Sequence, residues 1–342
     1  LIIKYQTKEN IMSIARSIYH SVKKSYHSVI GKTPDKQPSV YPLQHFPGFV
    51  EEDLAVFTPF QNIKAKAETG FIVDFLGVRT RATSLANCQR EFSGKLLGIP
   101  VPGDYHAEAI EYIGLLKSVL AAKDQYHVME LGAGWGPWLV NGAAAARHLG
   151  IKNIKMLGVE TDSGHVESMK QHFIDNDFNP SDHDLIKAAV GARKGKAIFP
   201  KIADSANQWG ARPAKITNDK VDSADSNYLG ALLNLEHEEV DVVPINELLE
   251  KRPLWDLVHI DVQGWESQLC TVAMHNLNNR ARYVIIGTHS RKLDGEIMNL
   301  FHEAGWLLEN EKPTKFQYRH GTKELEGMTL ADGTQVWRNP KL

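Results

Sequence analysis

The chain has 342 residues, enough for two domains or for one domain with a large extension. Hydrophobic residues at 42% against 23% charged ones allow a packed core and exclude wholesale disorder. Thirty-nine Lys and Arg against 41 Asp and Glu leave a formal charge of −2, so no overall basic field favours nucleic acid.

The start, Leu1-Ile2-Ile3-Lys4, lacks an initiator Met and reads as a fragment boundary, which leaves room for a signal lost upstream. No apolar run approaches the length of a bilayer span. Cys88 and Cys270 lie far apart with no Cys/His cluster, so neither a disulfide framework nor a structural zinc site is expected, and the default setting is reduced and cytosolic. From residue 8 to 30, Ile11, Ile14, Ala15, Ile18, Val22, Tyr26 and Val29 recur at spacings of three and four, an amphipathic helix flanked by Lys8, Arg16, Lys23 and Lys24. Such a helix suits either an anionic membrane surface or packing on protein. Pro34, Pro38, Pro42 and Pro47 then make residues 31–48 a linker.

Phe71-Ile72-Val73-Asp74-Phe75 and Val78-Arg79-Thr80-Arg81 flank Leu76-Gly77 as a β-hairpin. Asp104 is an expected N-cap for a helix through Glu108, Ile110, Ile113, Leu116, Val119 and Leu120. Beyond it strands and helices alternate. Strands are predicted at His127–Leu131, Lys155–Glu160, Asp184–Val190, Leu257–Val262 and Arg282–Gly287. Helices are predicted at Pro137–Leu149, Gly164–Phe173, Ile245–Lys251, Glu266–Leu277 and Asp294–Ala304. This rhythm predicts an α/β fold with a doubly wound, mainly parallel sheet. The Asp332-Gly333 turn between Met328-Thr329-Leu330 and Gln335-Val336-Trp337 predicts a C-terminal antiparallel hairpin. Residues 201–240, rich in Asp, Asn, Ala and Ser, read as a long insertion over the top edge of the sheet.

Chemistry concentrates at Val128-Met129-Glu130-Leu131-Gly132-Ala133-Gly134-Trp135-Gly136. A hydrophobic strand ends in an acid and passes into glycines that let a ligand approach the backbone as a helix opens. The dinucleotide fingerprint needs a small residue three positions after its second glycine, and here that position is Pro137. Glu130 has no role in that fingerprint but suits a ligand with a positive end, such as the ammonium of S-adenosylmethionine. Glu160 ends the next strand, where its carboxylate can accept both hydroxyls of a ribose.

These motifs resemble the class I S-adenosylmethionine-dependent methyltransferases, and more closely the FkbM-type family. The likeness continues in Val243-Pro244-Ile245-Asn246-Glu247-Leu248-Leu249 and in Asp256-Leu257-Val258-His259-Ile260-Asp261-Val262-Gln263-Gly264-Trp265-Glu266, which is similar to the family's Lys-Ile-Asp-Val-Glu-Gly signature. It extends to Val284-Ile285-Ile286-Gly287-Thr288-His289-Ser290 after the fifth strand, and it covers the chain from about residue 105 onward. His259 stands where the family has Lys and Gln263 where it has Glu.

The resemblance implies a seven-stranded methyltransferase domain over 104–342, preceded by a helix and Pro-rich linker over 1–48 and a hairpin-bearing extension over 49–103. It also implies methyl transfer to a hydroxyl of a sugar or glycosylated acceptor. The expected cofactor contacts are Glu130, Gly132, Ala133, Gly134, Gly136, Glu160, Thr161, Ala188, Ala189 and Asp261; the alanines follow from the resemblance. A sugar hydroxyl needs a base or a metal to take its proton. His289 is the expected general base, with Asp261 positioning substrate or base. Glu266 is either a helix-start acid or a substrate or metal contact. Asp261, Glu266 and His289 can also ligate a divalent ion, though no spacing demands one. Trp209 and Trp265 are candidates for the pocket mouth or for packing, and His259 is expected to be deep and structural. Two other readings stay open: a binding module that holds the nucleoside without turnover, and a nucleic-acid methyltransferase, which needs a basic surface and salt-sensitive binding.

Overall fold

A computed structural model describes residues 48–213, 215–216, 236–321 and 328–342. The helix expected over 8–30 lies outside these residues, as do nearly all of the 31–48 linker and the middle of the 201–240 stretch.

The N-terminal hairpin forms from β1 (Phe71–Val73) and β2 (Arg79–Arg81), with Ile72 opposite Thr80. Helix α1 (Ala109–Ala121) starts after Glu108 rather than at Asp104. Asp104 makes an Asx turn instead: its Oδ1 accepts from the N–H groups of His106 and Ala107, and its Oδ2 from the Tyr112 hydroxyl. The side chain satisfied its backbone locally, before the helix began.

The alternating elements follow as β3 (Gln125–Leu131), α2 (Pro137–His148), β4 (Asn153–Glu160), α3 (Ser163–Asp175), β5 (Asp184–Lys187), β6 (Ala189–Gly191), β7 (Gly195–Pro200), β8 (Lys215–Ile216), β9 (His237–Pro244), α4 (Ile245–Glu250), β10 (Trp255–Ile260), α5 (Glu266–Arg280), β11 (Ala281–Thr288), α6 (Arg291–Glu303), β12 (Leu307–Lys312), β13 (Lys315–Phe316), β14 (Thr329–Ala331) and β15 (Gly333–Arg338). Seven of the strands form one sheet in the order β12-β15-β11-β10-β3-β4-β5. Only β15 is reversed, pairing antiparallel with both β11 and β12, while the β11-β10-β3-β4-β5 pairs are all parallel. This is a doubly wound α/β sheet of the expected class.

Both faces of the sheet are covered, which explains why its strands read as nearly continuous hydrophobic runs. Val128, Leu257 and Ile285 point to a core shared with Leu115, Leu139 and Phe173 of α1, α2 and α3. Their neighbours Met129, Val258 and Val284 point the other way, to Leu248, Leu269 and Ile297 of α4, α5 and α6. The period of two thus assigns every strand-end side chain to a face. Glu130, His259, Asp261 and Gly287 follow the parity of the first face, beneath α1 and α2.

Two features differ from the predicted elements. The strand expected over Asp184–Val190 is two strands: β5 stays in the main sheet, while β6 joins a second sheet of order β6-β9-β7-β8. The C-terminal antiparallel hairpin is present as β13 with β14, and β15 inserts between β11 and β12. Trp337 and Val336 of β15 are fully buried there, so core packing decided the partner of that strand. Among the described residues no helix is long and apolar enough to cross a membrane, and both cysteines are free, Cys88 exposed and Cys270 buried.

Candidate active site

The chain passes from β3 to β4 on one side and returns through β10 on the other, so the crevice between β3 and β10 is the switch point where ligands of such sheets bind. The turn after β3 is tied to its neighbours: Gly132 and Ala133 donate to the Val159 carbonyl at 3.0 Å each, and Asp261 N–H donates to the Leu131 carbonyl at 2.9 Å. Gly132 has φ +75°, and a Cβ there would lie 1.8 Å from the Asp261 carbonyl oxygen. Only glycine admits this approach, which brings the β3 and β10 turns against each other.

A pocket of about 400 Å³ opens above these turns, large enough for a nucleoside carrying an amino-acid tail. Glu130, Gly132, Ala133, Gly134, Glu160, Thr161, Ala188, Ala189 and Asp261 all line it. Gly136, Glu266 and His289 do not reach its wall. Gly136 instead ends the turn at φ +71° as the N-cap of α2.

Glu130 Oε2 accepts from Leu139 N–H in the first turn of α2 at 3.1 Å, a cap that the Gly136-Pro137 start cannot supply from its own side chains. Burial pushes the Glu130 carboxyl well above the usual carboxylate range. Glu160 lies on the next parallel strand, confirming that the two acids share one end of the sheet. Its Oε1 accepts from Thr161 and Asp162 N–H at 2.6 and 2.8 Å, and its Oε2 from Gly134 N–H at 2.8 Å. An ionised carboxylate has about four lone-pair sites. Three are taken by the chain's own N–H groups.

Thr161 Oγ1 donates to the Ala188 carbonyl at 3.2 Å and ties β4 to the small residues beyond β5. Trp209 packs on the glycine turn: its ring would meet a Gly134 Cβ at 3.0 Å, and it stacks on His165 with centroids 4.2 Å apart. Trp265 lines the pocket from the turn before α5.

At the far end, Asp261 lies just beyond β10. His289 Nε2 lies 3.2 Å from Asp261 Oδ1, and His289 Nδ1 lies 3.0 Å from Glu266 Oε1. Neither approach meets the angle of a well-formed hydrogen bond, so these are chiefly ionic contacts. Gly287 on β11 leaves room for Asp261, whose Cγ would be 3.0 Å from a Cβ there. Glu266 is fully buried and accepts from Val262 and Gly264 N–H. Between them Gln263 adopts φ +57° and donates to Asp261 Oδ1 at 3.2 Å. Burial alone would push the His289 ring down, but the Glu266 and then the Asp261 carboxylates outweigh it and hold the ring well above its ordinary value. Burial pushes Asp261 up, and the charge and contact of His289, with smaller help from His259 and Gln263, together outweigh it and hold the carboxyl below its ordinary value.

Asp261, Glu266 and His289 place three ligand-type atoms within 4.8 Å of one another. Their nearest carboxylate oxygens nevertheless face different ring nitrogens, and an ion can use only one of them. The set matches a buried acid that orients a histidine, whose other nitrogen meets a second acid, better than three ligands of one ion.

Residues to which the sequence reading gave no ligand contact also line the pocket: His106, Glu111, Trp135, Trp138, His259 and Asp332. Glu111 had a legible signal, since it shares the buried stripe of Leu115 and Ser118 on α1. His259, expected to be deep, is only 3% exposed, yet it faces the pocket.

No family profile matches the chain. A protein of Jannaschia sp. (strain CCS1) that is named as a methyltransferase is 30% identical over 283 residues, spanning 83% of this chain and 97% of that protein. This chain belongs to the methyltransferase family. It carries its pocket at the switch point of the seven-stranded sheet. Among solved structures it is similar to precorrin-6Y C5,15-methyltransferase of Geobacter metallireducens GS-15 (TM-score 0.36, 9% identity, 68% of this chain and 88% of that one). It is also similar to ribosomal protein L11 methylase of Lactobacillus delbrueckii subsp. bulgaricus (TM-score 0.34, 12% identity, 72% and 87%).

Proposed function

We propose that this methyltransferase is of FkbM type and methylates a hydroxyl of a sugar or glycosylated acceptor. The observation that carries the reading is the Asp261–His289–Glu266 line, which presents one carboxylate at the pocket wall and keeps an oriented histidine behind it.

When bound, S-adenosylmethionine supplies a methyl group already activated on a sulfonium. The protein's work is therefore alignment and removal of a proton. The Gly132–Gly134 turn holds the amino-acid end against backbone, Glu160 offers its remaining lone pair to the ribose, and Ala188 and Ala189 leave flat room for the base. Asp261 accepts a hydrogen bond from the acceptor hydroxyl. The hydroxyl proton would pass to the Asp261–His289 pair as the oxygen takes the methyl group and the sulfonium sulfur leaves as a neutral thioether, with Glu266 stabilising the imidazolium. The competent state is the one in which His289 has lost its proton. His289 thus acts from behind Asp261, which is the group that touches the acceptor.

The test measures transfer of labelled methyl to a panel of glycans, glycosylated small molecules, phenols and RNA, alongside calorimetric binding of S-adenosylhomocysteine. Asp261→Asn is expected to cut turnover about 10²- to 10⁴-fold, with product affinity changed less than about threefold. Wild-type turnover in Asp261→Asn and His289→Ala, or methylation of RNA with no glycan accepted, would refute the proposal. Tight binding without transfer to any acceptor would leave a nucleoside-binding module.

A further inference from the structure

We infer that His259 is an acceptor-recognition residue, forming with Trp138 and Asp261 a subsite for the hydroxyls of a polyhydroxylated ring. This rests on the functional reading above and deepens it to the class of acceptor.

His259 lies two residues before Asp261 on β10, so both project to the same face, and its register partner on β3 is Glu130. It is 3% exposed, lines the pocket, and neither ring nitrogen has a hydrogen-bond partner among the described residues. The other three buried histidines of the described residues all have one. His127 Nδ1 meets the Leu254 carbonyl, His165 Nε2 the Ser205 carbonyl, and His172 both the Trp135 carbonyl and the Thr80 hydroxyl. Buried polar atoms nearly always have a partner, and one that faces a pocket without any calls for something outside the chain to complete it. His259 is the deep histidine so placed at the acceptor end.

The surroundings specify what would complete it. Burial pushes the His259 ring down to about 4, so at neutral pH it carries no charge and offers one donor and one acceptor. Its ring leans on Trp138, with centroids 5.6 Å apart, and Trp135 and His106 continue an aromatic wall on which a sugar ring can stack. Glu111, which also lines the pocket, accepts from Glu108 N–H, and burial followed by the Asp261 charge pushes its carboxyl up to about 8. At neutral pH that acid is mostly protonated and able to donate. The acceptor end therefore presents uncharged donors and acceptors beside an aromatic face, with the Asp261 carboxylate matched by His289. A ring bearing several hydroxyls answers this pattern, whereas a bare phenol leaves the imidazole unpaired and an organic cation finds no spare charge.

The experiment uses the full chain labelled with ¹⁵N-histidine and saturated with S-adenosylhomocysteine. It is titrated with methyl glycosides of hexoses and 6-deoxyhexoses, with phenol and spermidine as comparators. The His259 ring signals, assigned by their loss in His259→Phe, should move and settle into one tautomer with at least one glycoside and with neither comparator. In methyl-transfer assays with that glycoside, His259→Phe should raise KM about tenfold to a hundredfold while kcat stays within about threefold. His259→Gln, which retains a donor and an acceptor, should recover most of the loss. Unmoved His259 signals across all glycosides, or movement with phenol or spermidine instead, would overturn the inference while the bound product still upholds the cofactor reading. Failure of the product itself to bind would remove both.

Discussion

Replacing Gly132 by Ala perturbs the contact that assembles the site. A Cβ at this position would lie 1.8 Å from the Asp261 carbonyl oxygen, and about 3.0 Å is the closest approach real Cβ atoms make. The turns after β3 and β10 must therefore part by about 1.2 Å, the difference between those distances. The left-handed backbone, φ +75°, costs a residue with a side chain about 1–2 kcal/mol. Loss of the Asp261 N–H to Leu131 carbonyl bond adds about 1 kcal/mol. The sum of about 2–3 kcal/mol should lower Tm by roughly 5–10 °C in a domain of this size. Because Asp261 moves with its backbone, a displacement of this order should also cost about 10²-fold in rate. Gly150→Ala is the control: it has φ +86° and open space around its would-be Cβ, so it carries the backbone cost without the overlap. Thermal melts, S-adenosylhomocysteine calorimetry and labelled-methyl transfer on both variants separate the two contributions. If Gly132→Ala melts no lower than Gly150→Ala and keeps wild-type product affinity and turnover, the packed glycine turn is not what builds this site.

Three further outcomes are expected. The log of kcat/KM should rise with pH along a limb centred well above 6.5, and Glu266→Gln should move that limb to lower pH by removing one carboxylate that holds the His289 proton; a limb unmoved by the substitution takes Glu266 out of the unit. Glu160→Ala should weaken S-adenosylhomocysteine binding about tenfold to a hundredfold and lower Tm, because three backbone N–H groups lose their acceptor; unchanged affinity by calorimetry would show that Glu160 is purely a scaffold. Stability should also depend on pH with two opposite signs. The ion-paired His289 contributes in full below about 6.5 and fades as pH climbs through its raised folded value. His172, whose folded value burial lowers to about 4, stabilises in full above about 6.5 and loses up to about 3 kcal/mol as pH falls towards 4. Denaturant melts at pH 7 and 4.5 should therefore differ less in His172→Gln than in the wild type.

The alternation of strand and helix, the acid-then-glycine turn and the acids at Glu130, Glu160 and Asp261 were all legible in the sequence. They are local properties: burial on both faces makes strands hydrophobic throughout, and a backbone that must turn sharply under a neighbouring carbonyl has to be glycine at Gly132. Tertiary structure alone decided what those residues face. Glu160 spends three of its lone-pair sites on the chain itself, one of them on Gly134 N–H in the turn after β3. The second sheet is assembled from strands separated by most of the 201–240 stretch, so no local period reveals it. His289 stands behind Asp261 because β10 and β11 are neighbours, and the reach of each side chain from its strand end sets the order in which the groups meet the pocket. Spacing along a strand assigns a side chain to a face; partner, depth and protonation arise between elements distant in the chain.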